Sequence, residues 1–329
     1  MSINWERLRQ IIDSAQTVIL TSHIRPDCDA LGSELGMARI LMAMGKKVRI
    51  VNGQETPPNL KFIDPEGLLS TIGVDWQVED LIGDDLLMIL DTSAWAQLGD
   101  MGEVIKQFGG TKVIFDHHVG EDDLGAEPFK NTTAEATGRL VVEAAEAFGV
   151  ELTAEMAMPI YAAIATDTGW FRFPSTNANT YRVTAKLVDA GAKPAEIYRN
   201  LYERQTLGRI RLCGVVLSRM TTELDGIFAY TYILKEDFET TGALPSDTED
   251  LVNFALEIDG TKFAVIMIEQ PTGGFKISFR SRCAVECNQV AANFGGGGHK
   301  AAAGAFIKSD FESVKNQLLP FVREQLSNA

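Results

Sequence analysis

The chain has only four histidines, and each lies near an aspartate or a glycine at the end of a predicted strand or helix. His23 follows the apolar run at 17–21, and the tripeptide Asp-His-His at 116–118 follows the run at 112–115. A single histidine is usually structural, but all four in such positions indicate chemistry. Imidazole and carboxylate side chains together suit divalent ions such as Mn²⁺, Mg²⁺ or Fe²⁺.

Acidic residues also lie at or near the ends of predicted strands and helices. Asp27 and Asp29 come shortly after the first histidine, Asp91 follows the continuously apolar run at 86–90, and Asp167 ends a predicted helix. Because parallel strands end at one edge of a sheet, three of these clusters are expected to meet there. They supply enough ligands for two metal ions that share a bridging carboxylate. Taken singly, each aspartate is also an ordinary turn residue.

The elements that must position these residues alternate between strand and helix. Short apolar runs predict strands at 17–21, 47–51, 86–90 and 112–115, and helical spacing predicts helices at 30–44, 134–148, 153–166 and 178–190. Continuously apolar strands are buried on both faces, so we expect an α/β fold with a mostly parallel sheet flanked by helices. A helix that begins at Ala30 has Asp29 as its N-cap, a role compatible with metal binding.

The second half of the chain has a different organisation. Two charged helical stretches at 193–220 predict a helical connector between a domain over residues 1–192 and a smaller α/β domain over 221–329. In the smaller domain, strands are predicted at 228–234, 263–269 and 275–280, and helices at 247–256, 284–294 and 311–325. A length of 329 residues also favours two domains.

The smaller domain carries candidate anion-binding groups. Arg280 and Arg282 alternate with Ser281 at the end of a predicted strand, so they are expected to point the same way, and guanidinium groups suit phosphate. The glycine run at 295–298 precedes His299 and leaves main-chain amides free to approach an anion. A solvated strand end and a flexible loop are the alternatives. The run matches neither a dinucleotide-binding fingerprint nor a P-loop.

Composition excludes several classes of protein. The formal net charge of −15, from 30 Lys+Arg and 45 Asp+Glu, argues against a protein that grips long nucleic acid through its phosphates. No apolar run approaches the roughly 18 residues of a membrane span. The charged, amphipathic start predicts no signal peptide, and four scattered cysteines predict free thiols in a reducing compartment. We therefore expect a cytoplasmic protein without a membrane partner.

Four segments of the chain resemble a known family. HIRPDCDALGS, LDTS, FDHH and ATDTGWF, in that order, are similar to the four motifs of the DHH phosphoesterase superfamily. FRSR followed by GGGGHKAAAG resembles the DHH-associated domain of its NrnA-type nanoRNase/pAp-phosphatase branch. The resemblance spans most of the chain, and the combination of motifs is specific. It implies a DHH domain, a smaller C-terminal domain and an active site in the cleft between them.

The resemblance also implies a role for each candidate residue. His23 and Asp27 would hold one metal ion, Asp29, His117 and Asp167 the other, and Asp91 would bridge the two. His118 would contact the scissile phosphate, and Asp116 would orient a histidine. The residues implied to clamp the nucleotide are Arg280, Arg282, Gly296, Gly297, Gly298 and His299. The implied cofactors are two divalent ions, with Mn²⁺ preferred to Mg²⁺ or Fe²⁺.

The implied activity is hydrolysis of very short oligonucleotides to mononucleotides by a metal-activated water. The same resemblance implies hydrolysis of 3′-phosphoadenosine 5′-phosphate (pAp) to AMP. A stand-alone cyclic di-AMP phosphodiesterase is the closest alternative, and no residue separates the two. A non-catalytic nucleotide- or RNA-binding protein is a further alternative, although every expected ligand type is present. The expected partner is a short oligonucleotide or nucleotide phosphate, not a long duplex, and a homodimer is compatible with the sequence.

Overall fold

A six-stranded sheet organises the first half of the chain. In the computed structural model, which describes residues 3–120 and 122–328, its strands are β1 (Thr17–Thr21), β2 (Lys47–Asn52), β3 (Leu69–Thr71), β4 (Leu86–Leu90), β5 (Thr111–Asp116) and β6 (Glu127–Lys130). Their order is β3-β2-β1-β4-β5-β6, and every neighbouring pair is parallel. All five residues of β4 are buried. The predicted parallel sheet is confirmed, and the predictions missed the short strands β3 and β6.

Helices cover both faces of this sheet. They are α1 (Trp5–Ser14), α2 (Cys28–Ala43), α3 (Met101–Gln107), α4 (Thr137–Phe148), α5 (Ala154–Asp167), α6 (Ala178–Asp189) and α7 (Pro194–Tyr202). Alternate strand residues face two cores: α1, α2, α4 and α5 pack on one face, and α3 packs on the other. Helices α2 and α5 approach closely at Gly32, which has no side chain. A Cβ at this position would collide with the carbonyl oxygen of Pro159. Asp167 lies at the C-terminal end of α5.

The helix after β1 begins earlier than predicted. It starts at Cys28 instead of Ala30, and its N-cap is Asp27 instead of Asp29. The Asp27 Oδ1 atom accepts hydrogen bonds from the main-chain N–H groups of Asp29 at 2.9 Å and Ala30 at 3.0 Å. Asp29 therefore lies inside the first turn, where its carboxylate is free for other partners.

A second, mixed sheet organises the rest of the chain. Its strands are β7 (Thr221–Glu223), β8 (Phe228–Ile233), β9 (Phe263–Glu269), β10 (Phe275–Ser281), β11 (Gly297–Gly298) and β12 (Ala302–Ile307), in the order β11-β12-β10-β9-β8-β7. Strands β8 and β9 are parallel and the other pairs are antiparallel. The accompanying helices are α8 (Leu207–Ser218), α9 (Lys235–Thr241), α10 (Asn253–Leu256), α11 (Cys287–Ala292) and α12 (Phe311–Ser327).

The predicted helix at 247–256 is wrong. A short 3₁₀ turn covers Pro245–Thr248, and α10 begins only at Asn253. Asp250 lies between them with a left-handed backbone at φ +62°, which interrupts a right-handed helix. The hydrophobic spacing was helical, but this one residue divides the segment.

The chain divides into two units, Met1–Arg204 and Gln205–Ala329. The predicted connector at 193–220 is thus shared between them. Ile197 of α7 is buried in the core of the first unit, whereas Leu212 of α8 packs in a core of the second. Among the residues that the structure describes, no helix combines the length and apolar character needed to cross a bilayer.

Candidate active site

The predicted metal ligands gather at the carboxyl edge of the first sheet. His23 follows β1, Asp91 follows β4, and His117 follows β5, and these three strands are neighbours in the sheet. The strand order reverses between β1 and β4, because the chain adds β2 and β3 on one side and β5 and β6 on the other. Such switch points leave a crevice beyond the strand ends, and ligands of open α/β sheets bind there.

His23, Asp27 and Asp91 form a first group, with donor atoms that all lie within 4.8 Å of one another. The His23 Nε2 atom lies 3.9 Å from Asp27 Oδ1 and 3.5 Å from Asp91 Oδ2. The His23 Nδ1 atom lies 3.0 Å from the carbonyl oxygen of Ile24, which makes Nδ1 the protonated nitrogen. The Nε2 atom therefore faces the two carboxylates.

Asp29, His117 and Asp167 form a second group of the same kind. The His117 Nε2 atom lies 3.8 Å from Asp29 Oδ2 and 3.6 Å from Asp167 Oδ2. Its Nδ1 atom lies 3.1 Å from the carbonyl oxygen of Ala134, so this ring is oriented as His23 is. Burial, followed by the negative charge of Asp29, raises the pKa of Asp167 to about 6.

Asp91 belongs to both groups. Its Oδ2 atom faces His23, and its Oδ1 atom lies 3.6 Å from His117 Nε2. Its backbone is left-handed, at φ +59°, an uncommon conformation that is often associated with functional sites. Burial, and then the charges of Asp29 and Asp27, raise the pKa of Asp91 well above its usual range. The carboxylate is thus placed where an anion is disfavoured unless positive charge is bound beside it.

The start of α4 holds the acidic side chains in place. The main-chain N–H groups of Thr137 and Gly138 donate to the two oxygens of Asp29 at 2.8 Å and 2.9 Å. The Thr137 hydroxyl donates to Asp91 Oδ1 at 2.9 Å. A Cβ at Gly138 would lie 2.8 Å from the Cβ of Ala163 and 3.3 Å from Asp29 Oδ1. Neither Thr137 nor Gly138 was among the predicted site residues. The available signal was a Thr-Gly pair at the start of a helix, because the first amides of a helix are free to bind a carboxylate.

These two groups fit metal ions. Separations of 3.5–3.9 Å between imidazole nitrogens and carboxylate oxygens are too long for hydrogen bonds. The inward-facing atoms are lone-pair donors, which repel one another unless a cation lies among them. Nitrogen and oxygen donors of this type bind first-row divalent ions. The donor set and its charge therefore match one divalent ion in each group.

Asp116 and His118 form a separate pair beside the groups. Asp116 is fully buried, and its Oδ1 atom lies 2.8 Å from Nδ1 of the half-exposed His118. Its Oδ2 atom accepts a hydrogen bond from Ser93 at 3.0 Å and lies 3.2 Å from Nζ of Lys130. Neither Ser93 nor Lys130 was among the predicted site residues, although Ser93 lies in the LDTS segment; no local pattern marked Lys130.

The charge of this pair is set by its hydrogen bonds. The hydrogen bond with Asp116 raises the pKa of His118. Burial alone would raise the pKa of Asp116, but hydrogen bonds from His118 outweigh it and lower that pKa. His118 also lies 3.7 Å from Asp91 Oδ1, and Asp91, His117 and His118 make a third group that could hold a metal ion. The pair favours an imidazolium with its Nε2–H free.

The two predicted arginines of the second unit both reach the segment at 250–256. The Arg280 Nη2 atom lies 3.7 Å from Asp250 Oδ1, and the Arg282 Nη1–H group donates to the carbonyl oxygen of Leu256 at 3.0 Å. Arg280 is partly buried, whereas Arg282 is exposed. Both side chains therefore contact the same segment, Arg280 from β10 and Arg282 from the position after its end.

The glycine run forms part of a strand pair. Gly297 and Gly298 make up β11, which pairs with β12. A Cβ at Gly296 would collide with the carbonyl oxygen of Gly304, whereas Gly297 has open space around it. Gly298 has φ +144° and packs against the backbone of β12. Packing within the second unit thus explains why glycine is needed at two of the three predicted binding positions, Gly296 and Gly298. His299 follows them and is exposed.

Known proteins resemble this chain over nearly its whole length. Residues 17–164 match the DHH family, N-terminal domain, and residues 227–328 match the DHHA1 domain. The bifunctional oligoribonuclease and PAP phosphatase NrnA of Thermus thermophilus is 33% identical, over 99% of this chain and 96% of that protein. The Bacillus subtilis protein of the same name is 29% identical, over 92% of this chain and 93% of that protein.

A crystal structure supports the same relationship. An exopolyphosphatase-related protein from Bacteroides fragilis is 28% identical and superimposes with a TM-score of 0.84, over 98% of this chain and 97% of that one. The resemblance seen in the four motifs is therefore confirmed by sequence and by fold. The chain belongs to the DHH family, as an NrnA-type member with a C-terminal DHHA1 domain.

Proposed function

We propose that this protein is a two-metal phosphoesterase that hydrolyses very short oligonucleotides to mononucleotides and pAp to AMP. The observation that carries the proposal is the position of Asp91, whose two carboxylate oxygens face two separate imidazoles at 3.5 Å and 3.6 Å. A carboxylate shared in this way is the expected centre of a two-metal phosphoesterase site. Relatives over nearly the full length are named oligoribonuclease and PAP phosphatase.

The ligands divide into two sets in this proposal. His23 and Asp27 hold one ion, and Asp29, His117 and Asp167 hold the other. Mn²⁺ is the preferred ion, with Mg²⁺ and Fe²⁺ as alternatives, because the donors mix imidazole nitrogen with carboxylate oxygen. Bound divalent ions supply an acidified water and positive charge opposite the phosphate oxygens.

His118 contacts the reacting phosphate in this proposal. Asp116 binds its Nδ1–H group, so Nε2–H is left to donate to a phosphate oxygen. Because the hydrogen bond to Asp116 favours the protonated ring, the imidazolium brings positive charge to the phosphate. Lys130 and Ser93 keep Asp116 in place and thereby orient His118. Asp116 thus acts through the histidine and not on the substrate.

The second unit binds the part of the substrate that does not react. Arg280 at the end of β10 and Arg282 just after it offer guanidinium groups, and His299 offers an exposed imidazole after β11. Of the predicted binding glycines, Gly297 is the one with open space in which its main-chain amide can meet an anion, with Gly296 and Gly298 shaping the strand around it. A net charge of −15 disfavours additional phosphates beyond these contacts and so favours short substrates.

A substrate panel tests the proposal. The purified protein with Mn²⁺ is offered diribonucleotides, pAp, cyclic di-AMP, pyrophosphate and a 24-mer RNA, and products are separated by chromatography. We expect mononucleotides from the dinucleotides and AMP from pAp, both abolished by a chelator and restored by Mn²⁺. Hydrolysis of cyclic di-AMP in preference to these would replace the proposed substrate class. Binding of nucleotides without turnover under any metal would overturn the enzymatic assignment.

A further inference from the structure

A buried carboxyl is linked through one side chain to Ser22, the residue that precedes His23. Glu34, in the middle of α2, is completely buried. Its Oε2 atom accepts a hydrogen bond from the Asn52 amide nitrogen at 2.8 Å, and its Oε1 atom has no hydrogen-bond partner among residues 3–120 and 122–328. A buried glutamate with no cation beside it needs a reason to persist in an otherwise apolar helix face.

Asn52 also hydrogen-bonds to Ser22, the residue before His23. Its Oδ1 atom accepts hydrogen bonds from the main-chain N–H of Ser22 at 3.0 Å and from the Ser22 hydroxyl at 3.3 Å. A side-chain amide has one donor end and one acceptor end. Because its donor end is bound to Glu34, its acceptor end must face Ser22. Glu34 and the Ser22 N–H group therefore together fix which way the Asn52 amide points.

The loop that carries His23 is held at three main-chain N–H groups. The Ser22 N–H group donates to Asn52 Oδ1. The Ile24 N–H group donates to the carbonyl oxygen of Gln97 at 2.6 Å, and the Arg25 N–H group donates to Gln54 Oε1 at 2.7 Å. His23 lies between the first two of these contacts. The hydrogen bond that the Ser22 N–H group donates to Asn52 thus holds the backbone on the strand side of His23.

We propose that Glu34 is a positioning residue for His23, acting through the amide of Asn52 and the main chain of Ser22. The inference rests on the proposed role of His23 as a metal ligand. Residues that orient a metal-binding histidine typically change metal affinity by about 10–100-fold when they are removed. Glu34 differs from the usual case because it acts on the backbone that bears the ring and not on the ring itself.

The carboxyl acts here as a neutral hydrogen-bond acceptor. Burial raises the pKa of Glu34 to about 8, even though the hydrogen bond from Asn52 opposes the change. At neutral pH the protonated form therefore prevails. A glutamine keeps an uncharged acceptor for Asn52 at nearly the same position, whereas a methionine keeps the volume and removes the acceptor. Glu34→Gln and Glu34→Met thus separate the hydrogen bond from the packing.

The experiment measures Mn²⁺ affinity by isothermal titration calorimetry, and dinucleotide kcat and KM, for wild type and both variants. We expect Glu34→Met to weaken Mn²⁺ binding about tenfold and to lower kcat more than it changes KM. Glu34→Gln should remain within about threefold of wild type. Rescue by glutamine is the readout that a purely space-filling role would not give.

A matched control separates positioning from general loss of stability. Asp84 is also a buried carboxylate, and its Oδ2 atom accepts no hydrogen bond from the residues that the structure describes, although Arg49 Nη1 lies 3.6 Å from it. It lies before β4, at the opposite end of the strands. Asp84→Asn should change Tm without changing Mn²⁺ affinity. Asn52→Ala gives an independent route to the same contact, and combining it with Glu34→Met should add little further loss if the two act in series. If Glu34→Met does not fold, Asn52→Ala alone provides the affinity comparison.

The outcomes are distinguishable. If His23→Ala weakens Mn²⁺ binding while Glu34→Met and Asn52→Ala leave it unchanged, Glu34 is not a positioning residue and the metal site stands. If Glu34→Gln is as defective as Glu34→Met, the neutral-acceptor role is wrong. If wild type binds no Mn²⁺, the failure belongs to the proposed metal centre and the inference falls with it.

Discussion

The candidate residues of the two units differ in how firmly the fold holds them. In the first unit, Asp29, Asp91 and Asp116 are at most 2% exposed, and each accepts hydrogen bonds from groups far away in the sequence. In the second unit, Arg282 and His299 are exposed. The first set is preorganised, which metal binding and catalysis require, whereas the second can adjust to a substrate.

This difference predicts different consequences of mutation. Changing a buried aspartate should disturb metal content and the reaction itself, because its position cannot be filled by a neighbour. Changing an exposed side chain of the second unit should alter substrate affinity and selection while the metal ions remain bound. The four predictions below test that contrast, beginning with the largest effect.

Asp91→Asn should lower kcat/KM for a dinucleotide by roughly 10³-fold or more, because one carboxylate serves both groups. Asparagine tolerates the left-handed backbone of Asp91 at φ +59° better than alanine does, so the variant should fold. Steady-state kinetics and metal analysis check the prediction. Asp225→Asn is the matched control, since Asp225 is an exposed left-handed residue of the second unit, at φ +53°. Near-normal activity of Asp91→Asn would contradict the proposal that its carboxylate serves both metal groups.

His117→Ala and His118→Ala should separate metal binding from catalysis. His117 faces three carboxylates through Nε2, so its loss should reduce the bound metal. His118 is half exposed and paired with Asp116, so its loss should leave the metal in place and lower kcat by about 10²-fold. Metal content of both purified variants is measured by mass spectrometry. Equal metal loss in the two would contradict the division of roles and favour His118 as a ligand.

His299→Ala should reduce the preference for short substrates. We expect wild type to cleave a dinucleotide at least about tenfold more efficiently than a 24-mer, because contacts away from the reacting phosphate contribute to the transition state. His299 is exposed, so its removal should not disturb folding. Arg282→Ala should act in the same direction, but it also removes a hydrogen bond to Leu256. Equal kcat/KM for 2-mer, 5-mer and 24-mer RNA in wild type would refute the second unit's role.

The contrast between the units also explains what the sequence could predict. Candidate ligands at strand ends, such as His23 and Asp91, could be predicted because an apolar run followed by a polar residue is a local signal. Thr137 and Gly138 were not, because they meet Asp29 across more than a hundred residues of chain. Contacts of that separation depend on how helices pack, which one sequence does not reveal.

The errors in element boundaries have local physical causes. The helix after β1 was predicted from Ala30 because its apolar spacing starts there, yet Asp27 caps the two free amides that follow it. No strand was predicted at 302–307, whereas this segment is strand β12, paired with β10. Alanine and glycine carry weak strand propensity, so only the pairing with a neighbouring strand identifies it.

The smallest expected effects distinguish packing from binding within the glycine run. Gly296→Ala should lower the free energy of unfolding by about 1–3 kcal/mol, because the new Cβ meets the carbonyl oxygen of Gly304. Gly297→Ala should change it by less than about 0.5 kcal/mol, because the site is open and its backbone is not left-handed. Chemical denaturation measures both.

If the Gly297 amide meets an anion, the methyl group of Gly297→Ala lies where the substrate approaches. We then expect KM for pAp to rise about threefold with little change in kcat, since a uniform loss of binding affects the ground state and the transition state alike. An unchanged KM in Gly297→Ala, together with the stability loss in Gly296→Ala, would show that the run serves the strand pair alone. Substrate binding by the second unit would then have to come from Arg280, Arg282 and His299.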